Sequence, residues 1–352
     1  VKSISRILWL PVKWLLLLVV GLEVFCFLVI TATNFLIYGH PWEGSRVDYD
    51  AYAIFLNVAG VQPTTGNPSG AALAAAGGRV RRLWLLGGST MRGGWVKPEE
   101  TIPSYLAAEL NRPRAKPPVI VTNYGENSFN SLLETKYLQK LLLESPEPPD
   151  LVIFYDGAND CSYFNQYRTS QAHHGYHSLR GLVESHRRSY LSLLKPLNAA
   201  LYASFSRELI YKLRQTVLPL DPTDPALMEM VRATARRYEH VEKLTSAYGA
   251  AFLLVWQPFL WVETGEVDPG VKDREQQLAV MGSRFLKVRH NFAVTYDALA
   301  AQLKNRPFFV DFRNALCPRR TPVYEADGVH LKPTGNRMVA QALARLLTAR
   351  GW

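Results

Sequence analysis

Four short blocks of this 352-residue chain carry residue types that can act together in acyl chemistry. Leu83-Trp84-Leu85-Leu86 is an apolar run that stops at Gly87-Gly88 and then presents the hydroxyls of Ser89 and Thr90. At a strand-to-helix turn, glycines remove Cβ clashes and let backbone N–H groups converge near such a hydroxyl. Near the other end of the chain, Asp327-Gly328-Val329-His330 supplies a carboxylate and an imidazole three residues apart. Between them, Asn123-Tyr124-Gly125 and Gly157-Ala158-Asn159-Asp160 each close a further apolar run. A serine hydroxyl is a weak nucleophile at neutral pH and needs an adjacent base. His330 fits that role, and Asp327 would fix the imidazole tautomer and stabilise the imidazolium. Each block alone reads as an ordinary tight turn or a loop histidine ahead of a helix. Together they read as one site.

Such a site needs a sheet to hold it. Val119-Ile120-Val121-Thr122 and Leu151-Val152-Ile153-Phe154-Tyr155 are short, β-branched and aromatic, the pattern of fully buried strands. Ala251-Phe252-Leu253-Leu254-Val255-Trp256 reads as a fourth strand, and residues 308–312 or 293–296 as a weaker fifth. Helical spacing over residues 98–110 and 129–143, and again after Pro333, alternates with these strands. Alternation of this kind implies parallel pairing with right-handed crossovers, hence a three-layer α/β/α sandwich with a mostly parallel sheet. Ligands of open parallel sheets bind outside the carboxyl ends of the strands, where Ser89, Gly125 and Asn159 would all emerge.

The four blocks, in this order, resemble the SGNH (GDSL-like) hydrolase superfamily, named for its serine, glycine, asparagine and histidine. The resemblance covers residues 80–347. The first block departs from the family's Gly-Asp-Ser-Leu by reading Gly-Gly-Ser-Thr, which looks like a membrane-anchored branch and leaves the nucleophile in place. The resemblance implies a flavodoxin-like fold, ester hydrolysis or acyl transfer, and no metal or organic cofactor. It implies an oxyanion hole built from the backbone N–H of Ser89, the N–H of Gly125 and the side chain of Asn159.

Outside this domain the chain predicts a single transmembrane helix. Lys2, Arg6 and Lys13 precede an apolar run over residues 14–38 interrupted only by Glu23, long enough to span a bilayer. Basic residues ahead of the helix place the N-terminus in the cytoplasm and the large domain on the periplasmic or extracellular side. Glu23 costs roughly 2–3 kcal/mol at mid-membrane, which leaves three readings open: neutralisation, snorkelling or a partner helix. The expected organisation is a stub and anchor over 1–38, a connector over 39–79 and a hydrolase domain over 80–352. An insertion over 162–222 is expected near the active-site rim. That insertion carries His173, His174 and His177, but no carboxylate or cysteine completes a ligand set with recognisable spacing.

The anchor holds three basic residues and one acidic one, so +8 of the chain's formal +10 lies beyond it. This suits an anionic surface or an acidic glycan as well as an ordinary solvated face, and no nucleic-acid motif accompanies it. Of three cysteines, Cys26 lies in the anchor. Cys161 and Cys317 both belong to loops expected on the catalytic sheet edge, and two readings stay open for them: a disulfide or two free thiols. The substrate expected for an anchored, outward-facing enzyme is an envelope O-acyl ester, on a glycan or a lipid. The alternative is an accessory or scaffold subunit of a membrane complex that keeps the fold, with Glu23 and the long connector as its support.

Overall fold

The computed structural model describes residues 2–38, 46–75, 77, 80–112, 117–188, 200–201, 204–214, 219–279 and 283–352. In chain order the elements are α1 (Lys2–Tyr38), β1 (Val47–Asp50), β2 (Ile54–Asn57), α2 (Gly70–Ala75), β3 (Arg81–Gly87) and α3 (Ser89–Arg92). Next come α4 (Ile102–Leu110), β4 (Val119–Asn123), α5 (Ser131–Glu144), β5 (Leu151–Asp156), α6 (Ala158–Tyr167) and α7 (Tyr176–Arg188). They are followed by α8 (Phe205–Arg214), α9 (Pro225–Ala247), β6 (Ala251–Trp256), α10 (Pro269–Ala279), α11 (Ser283–Leu303), β7 (Phe309–Asp311) and α12 (Pro333–Ala349). Two compact units result: Val1–Ser45 with Gly175–Thr216, and Arg46–His174 with Val217–Trp352.

The larger unit is built on a five-stranded sheet of order β4-β3-β5-β6-β7, parallel throughout. Counted within the sheet this is 2-1-3-4-5, the flavodoxin-like order. The chain steps from β3 outward to β4 and then returns past β3 to β5. The crevice at that reversal, between the carboxyl ends of β3 and β5, is where this topology binds ligands.

Side chains alternate across each strand, and the burial follows. From β3, Leu83 and Leu85 enter one core with Val121, Ile153 and Val255, covered by Leu106 of α4 and Val339 and Leu343 of α12. Trp84 and Leu86 enter the opposite core with Val152, Phe154 and Leu254, covered by Leu133 and Tyr137 of α5 and Tyr238 of α9. Burial on both faces explains why these strands read as continuous apolar runs. It fixes their height, and so the height of the catalytic blocks at their ends. Helix starts are capped locally: Thr101 Oγ1 accepts the Ser104 N–H for α4, and Asn130 caps α5.

One open choice is settled and two expectations are refined. The fifth strand is Phe309–Asp311, whereas residues 293–296 lie inside α11, where Tyr296 and Leu299 face the core. The expected connector has structure of its own: β1 and β2 form an antiparallel hairpin and Ala53 is fully buried. Its residues 39–45, 76, 78 and 79 lie outside the described residues. The expected insertion over 162–222 is not one piece. Gly175–Thr216 groups with the N-terminal helix, while Phe164 and Leu220 join the core of the larger unit; residues 189–199, 202–203 and 215–218 lie outside the described residues.

In the smaller unit, Trp9–Leu36 of α1 is 28 residues with a mean hydropathy of 2.7, long and apolar enough by length and composition to cross a membrane.

Candidate active site

Ser89 opens α3 immediately after β3, and two glycines make room for it. A β-carbon at Gly87 would lie 2.7 Å from Cβ of Met91 and 3.1 Å from the Tyr155 carbonyl. One at Gly88 would lie 2.5 Å from Nδ2 of Asn159. Gly93, at φ 75°, then ends the four-residue turn of helix. Only residues without a β-carbon let the chain turn this tightly against β5.

His330 reaches Ser89 from the far end of the chain, with Nε2 2.7 Å from Ser89 Oγ. Its Nδ1 is hydrogen-bonded to the Asp327 carboxylate. Asp327 also folds its own loop, because its Oδ1 accepts the N–H groups of Val329 and His330, both at 2.9 Å. Burial works against the Asp327 carboxylate, but the His330 contact and the two backbone N–H groups outweigh it and hold its pKa below the ordinary value. It therefore stays ionised beside the imidazole. The loop hangs from a small antiparallel contact, Tyr324 against Leu331. Glu275 braces that contact by accepting the N–H groups of Val323 at 2.6 Å and Tyr324 at 3.1 Å. Arg319 pairs in turn with Glu275 and Glu263, at 2.6 and 2.5 Å.

Asn159 begins the turn after β5. Its Nδ2 donates to the Phe129 carbonyl at 2.6 Å, which uses one of two N–H bonds and leaves the other for a ligand. Ser89 N–H lies in the first turn of α3, where backbone donors have no intrahelical acceptor. Gly125 differs from expectation. Its N–H donates to Asn123 Oδ1 at 2.9 Å, so this donor is already engaged. A β-carbon at residue 125 would run into the Arg92 backbone nitrogen, which presses α3 against the glycine. The structure thus brings Ser89, Asp327, His330, Gly125 and Asn159 to one edge, with Gly125 in close packing and its amide turned to Asn123.

Several neighbours escape the sequence pattern. Asn123 clamps the loop, donating to the Met91 carbonyl at 3.1 Å while holding Gly125. Arg92 is buried and donates to Glu126 at 3.0 Å, to the Gly125 carbonyl at 3.2 Å and to the Gly60 carbonyl at 3.1 Å. Burial pushes the Glu126 carboxyl up to about 7, against the pull of Arg92. Trp95, 53% exposed, holds its ring 5.4 Å from the His330 ring. Behind Asn159, Asp160 accepts from Ser131 N at 3.1 Å and Ser131 Oγ at 2.5 Å, and Asp156 accepts from Tyr238 at 2.9 Å. A glycine-punctuated strand end announces itself in sequence, but a buried arginine or an aromatic on the following loop has no comparable signature.

Of the two readings left open for the cysteine pair, the structure has the second. Cys161 and Cys317 are both free thiols. Cys161 is fully buried in an apolar cluster with Phe164, Trp256 and Tyr296. Cys317 instead faces Gly265 and the Arg319–Glu263 pair. Among the described residues, no group of three His, Cys, Asp or Glu is placed to hold a metal ion, and His173 Nδ1 lies 2.7 Å from the His174 carbonyl.

No protein-family model matches the chain, and no curated protein sequence matches it. Solved structures do. A member of the lipolytic protein G-D-S-L family from Veillonella parvula DSM 2008 is 14% identical, with a TM-score of 0.40, over 77% of this chain and 99% of its own. Axe2, an acetylxylan esterase from Geobacillus stearothermophilus, is 15% identical, with a TM-score of 0.39, over 75% and 93%. TesA is 16% identical, with a TM-score of 0.36, over 75% and 97%. The resemblance of this chain to the SGNH (GDSL-like) hydrolases is carried by its four sequence blocks.

Proposed function

We propose that this protein is a membrane-anchored serine esterase or acyltransferase acting on O-acyl esters of the envelope, on a glycan or a lipid. The observation that carries this reading is the Ser89 Oγ to His330 Nε2 contact of 2.7 Å, with Asp327 on the opposite ring nitrogen. Ser89 Oγ attacks the ester carbonyl while His330 Nε2 takes its proton, and the carbonyl π electrons move onto oxygen. The second N–H of Asn159 and the N–H of Ser89 receive that oxyanion. Collapse expels the alkoxide, which leaves with the proton from His330, and an acyl-Ser89 ester remains. Water, or an acceptor hydroxyl, then gives its proton to His330 and attacks the acyl carbon; the bond from that carbon to Ser89 Oγ breaks, His330 returns the proton to Oγ, and the acid or the new ester leaves. Hydrolysis and transfer differ only in that second nucleophile.

The apolar run over residues 14–38 serves as the anchor in this reading, with Lys2, Arg6 and Lys13 on the cytoplasmic side and the catalytic unit outside. The test is a fluorophosphonate probe with turnover of p-nitrophenyl acetate. The full-length protein is expected to label and turn over; Ser89→Ala is expected to do neither while melting normally. Near-normal ester turnover by Ser89→Ala would overturn the proposal.

A further inference from the structure

The smaller unit gives the membrane acid a partner within its own chain. The Glu23 carboxylate accepts the backbone N–H of Phe205 at 2.7 Å and that of Ser206 at 3.4 Å, and Ser206 Oγ donates to it as well. These are first-turn donors of α8, which lack intrahelical acceptors. A carboxylate from α1 thus caps α8. Four residues on, the Phe27 and Phe205 rings meet edge to face, with centroids 5.1 Å apart. Glu23 also begins a covered stripe along α1: Cys26, Ile30 and Asn34 are buried, whereas every residue from 9 to 22 is exposed.

The rest of the module is amphipathic and basic. Leu179, Leu182 and Val183 recur at helical spacing on α7, and Phe205, Leu209 and Ile210 on α8. Val183 is 68% exposed, Ile210 49% and Leu201 58%. Gly175–Thr216 holds seven basic and two acidic residues, a formal +5 in a segment that groups with the apolar helix. Exposed apolar side chains in a basic segment suit the boundary of an anionic bilayer.

We infer that α7 and α8 form a membrane-binding module: Glu23 docks α8 on the anchor, and the apolar sides of α7 and α8 enter the anionic leaflet beside it. The occupant of this surface is lipid, because α8 packs directly on α1, the helix apolar enough to cross a membrane. The inference rests on the anchor reading above, and the two fail separately.

Full-length protein with Cys26, Cys161 and Cys317 replaced, still reactive toward fluorophosphonate, is spin-labelled in nanodiscs containing phosphatidylglycerol. Labels are placed through Leu18→Cys, Val183→Cys, Ile210→Cys and Tyr248→Cys. Positions 18, 183 and 210 are expected to relax more with oxygen than with a water-soluble nickel complex, and position 248 the reverse. A lipid-like reading at 18 with a water-like reading at 183 or 210 overturns the module and leaves the anchor standing. A water-like reading at 18 overturns the anchor, and the module with it. Glu23→Ala is expected to raise nickel accessibility at position 210 several-fold, with Glu23→Gln between it and the parent; no change at 210 in Glu23→Ala overturns docking through Glu23.

Discussion

The side-chain amide of Asn159 lies against the Cα of Gly88 so closely that a β-carbon there would sit 2.5 Å from Nδ2 and 3.2 Å from the Phe129 carbonyl that anchors it. The Ser89 turn and the Asn159 carboxamide are therefore one packed unit. Gly88→Ala is expected to fold, because the displaced group is the end of a side chain rather than backbone. It is expected to push Nδ2 off Phe129 and out of the site. Loss of one such donor costs about 10²–10³ in turnover. Steady-state kinetics of an ester, beside a thermal melt, measures it; retained turnover would remove Asn159 from the oxyanion hole.

Trp95 sits on the loop after α3, half in solvent, with its ring tilted 50° against that of His330. An exposed aromatic beside the general base faces whatever enters the site. Contacts of this kind are worth about 0.5–1.5 kcal/mol beyond area burial. Trp95→Ala is expected to raise KM by about 2–12-fold, the equivalent factor, with a smaller effect on kcat. Trp95→Phe should recover most of the loss. A fall in kcat at constant KM would instead place Trp95 behind His330 as a support.

The core of this site was legible in sequence because its requirements are local. Glycines at 87, 88 and 125 mark places where a β-carbon would strike a neighbour, and the Asp327–His330 spacing suits one turn that carries both groups. The sheet was legible because strands buried on both faces leave long apolar runs. What escaped was set by distant packing. The β1–β2 hairpin is recruited by Glu126, whose Oε2 accepts the Asn57 N–H at 3.3 Å from 69 residues away. Asn123 reads as a strand end, yet its carboxamide engages the Gly125 amide that the family resemblance assigns to the oxyanion hole. The choice between the two cysteine readings was open for the same reason: a shared sheet edge does not decide whether two side chains point toward each other.

Behind Asn159 three carboxyls share one buried pocket: Glu134, Asp156 and Asp160, each at most 4% exposed. Arg237 reaches this group through Asp160 at 3.7 Å. Neither Glu134 oxygen has a donor among the described residues, so it can hydrogen-bond Asp156 only as an acid. Burial first, and then the Asp156 charge, push Glu134 well up; burial and the Asp160 charge push Asp156 up to about 7. Folded values above unfolded ones mean that the native state holds these protons more tightly. Stability from this source is full below the ordinary carboxylate range and is lost as pH rises toward 7. Glu134→Gln imitates the protonated acid. It is expected to flatten the fall of Tm between pH 5 and 8, and to raise Tm at pH 8 by about 2–4 °C for each kcal/mol recovered. Parallel Tm curves for the two proteins would show that the cluster does not titrate in this range.

Arg92 joins the nucleophile turn to the rest of the site, and its cost on removal should depend on pH. Its guanidinium spans Glu126, the Gly125 carbonyl and the Gly60 carbonyl, and both side chains of the ion pair are 5% exposed. Lysine offers a point charge without that fork, so Arg92→Lys should loosen the Gly125 loop and lower kcat even where the fold survives. Arg92→Ala leaves Glu126 alone in the interior. Breaking a buried pair from one side costs about 3–5 kcal/mol when the remaining group is charged. Glu126 titrates near 7 rather than at its ordinary 4.5 even with Arg92 present, and without the arginine its pKa rises further. The variant can then protonate Glu126 at low pH and escape part of the penalty, but at high pH it must bury an anion or unfold. The Tm gap between the parent and Arg92→Ala is therefore expected to widen from pH 5.5 to pH 8.5. A gap that stays constant or narrows would mean that Arg92 acts through packing alone, with the charge of Glu126 already satisfied by the Asn57 N–H.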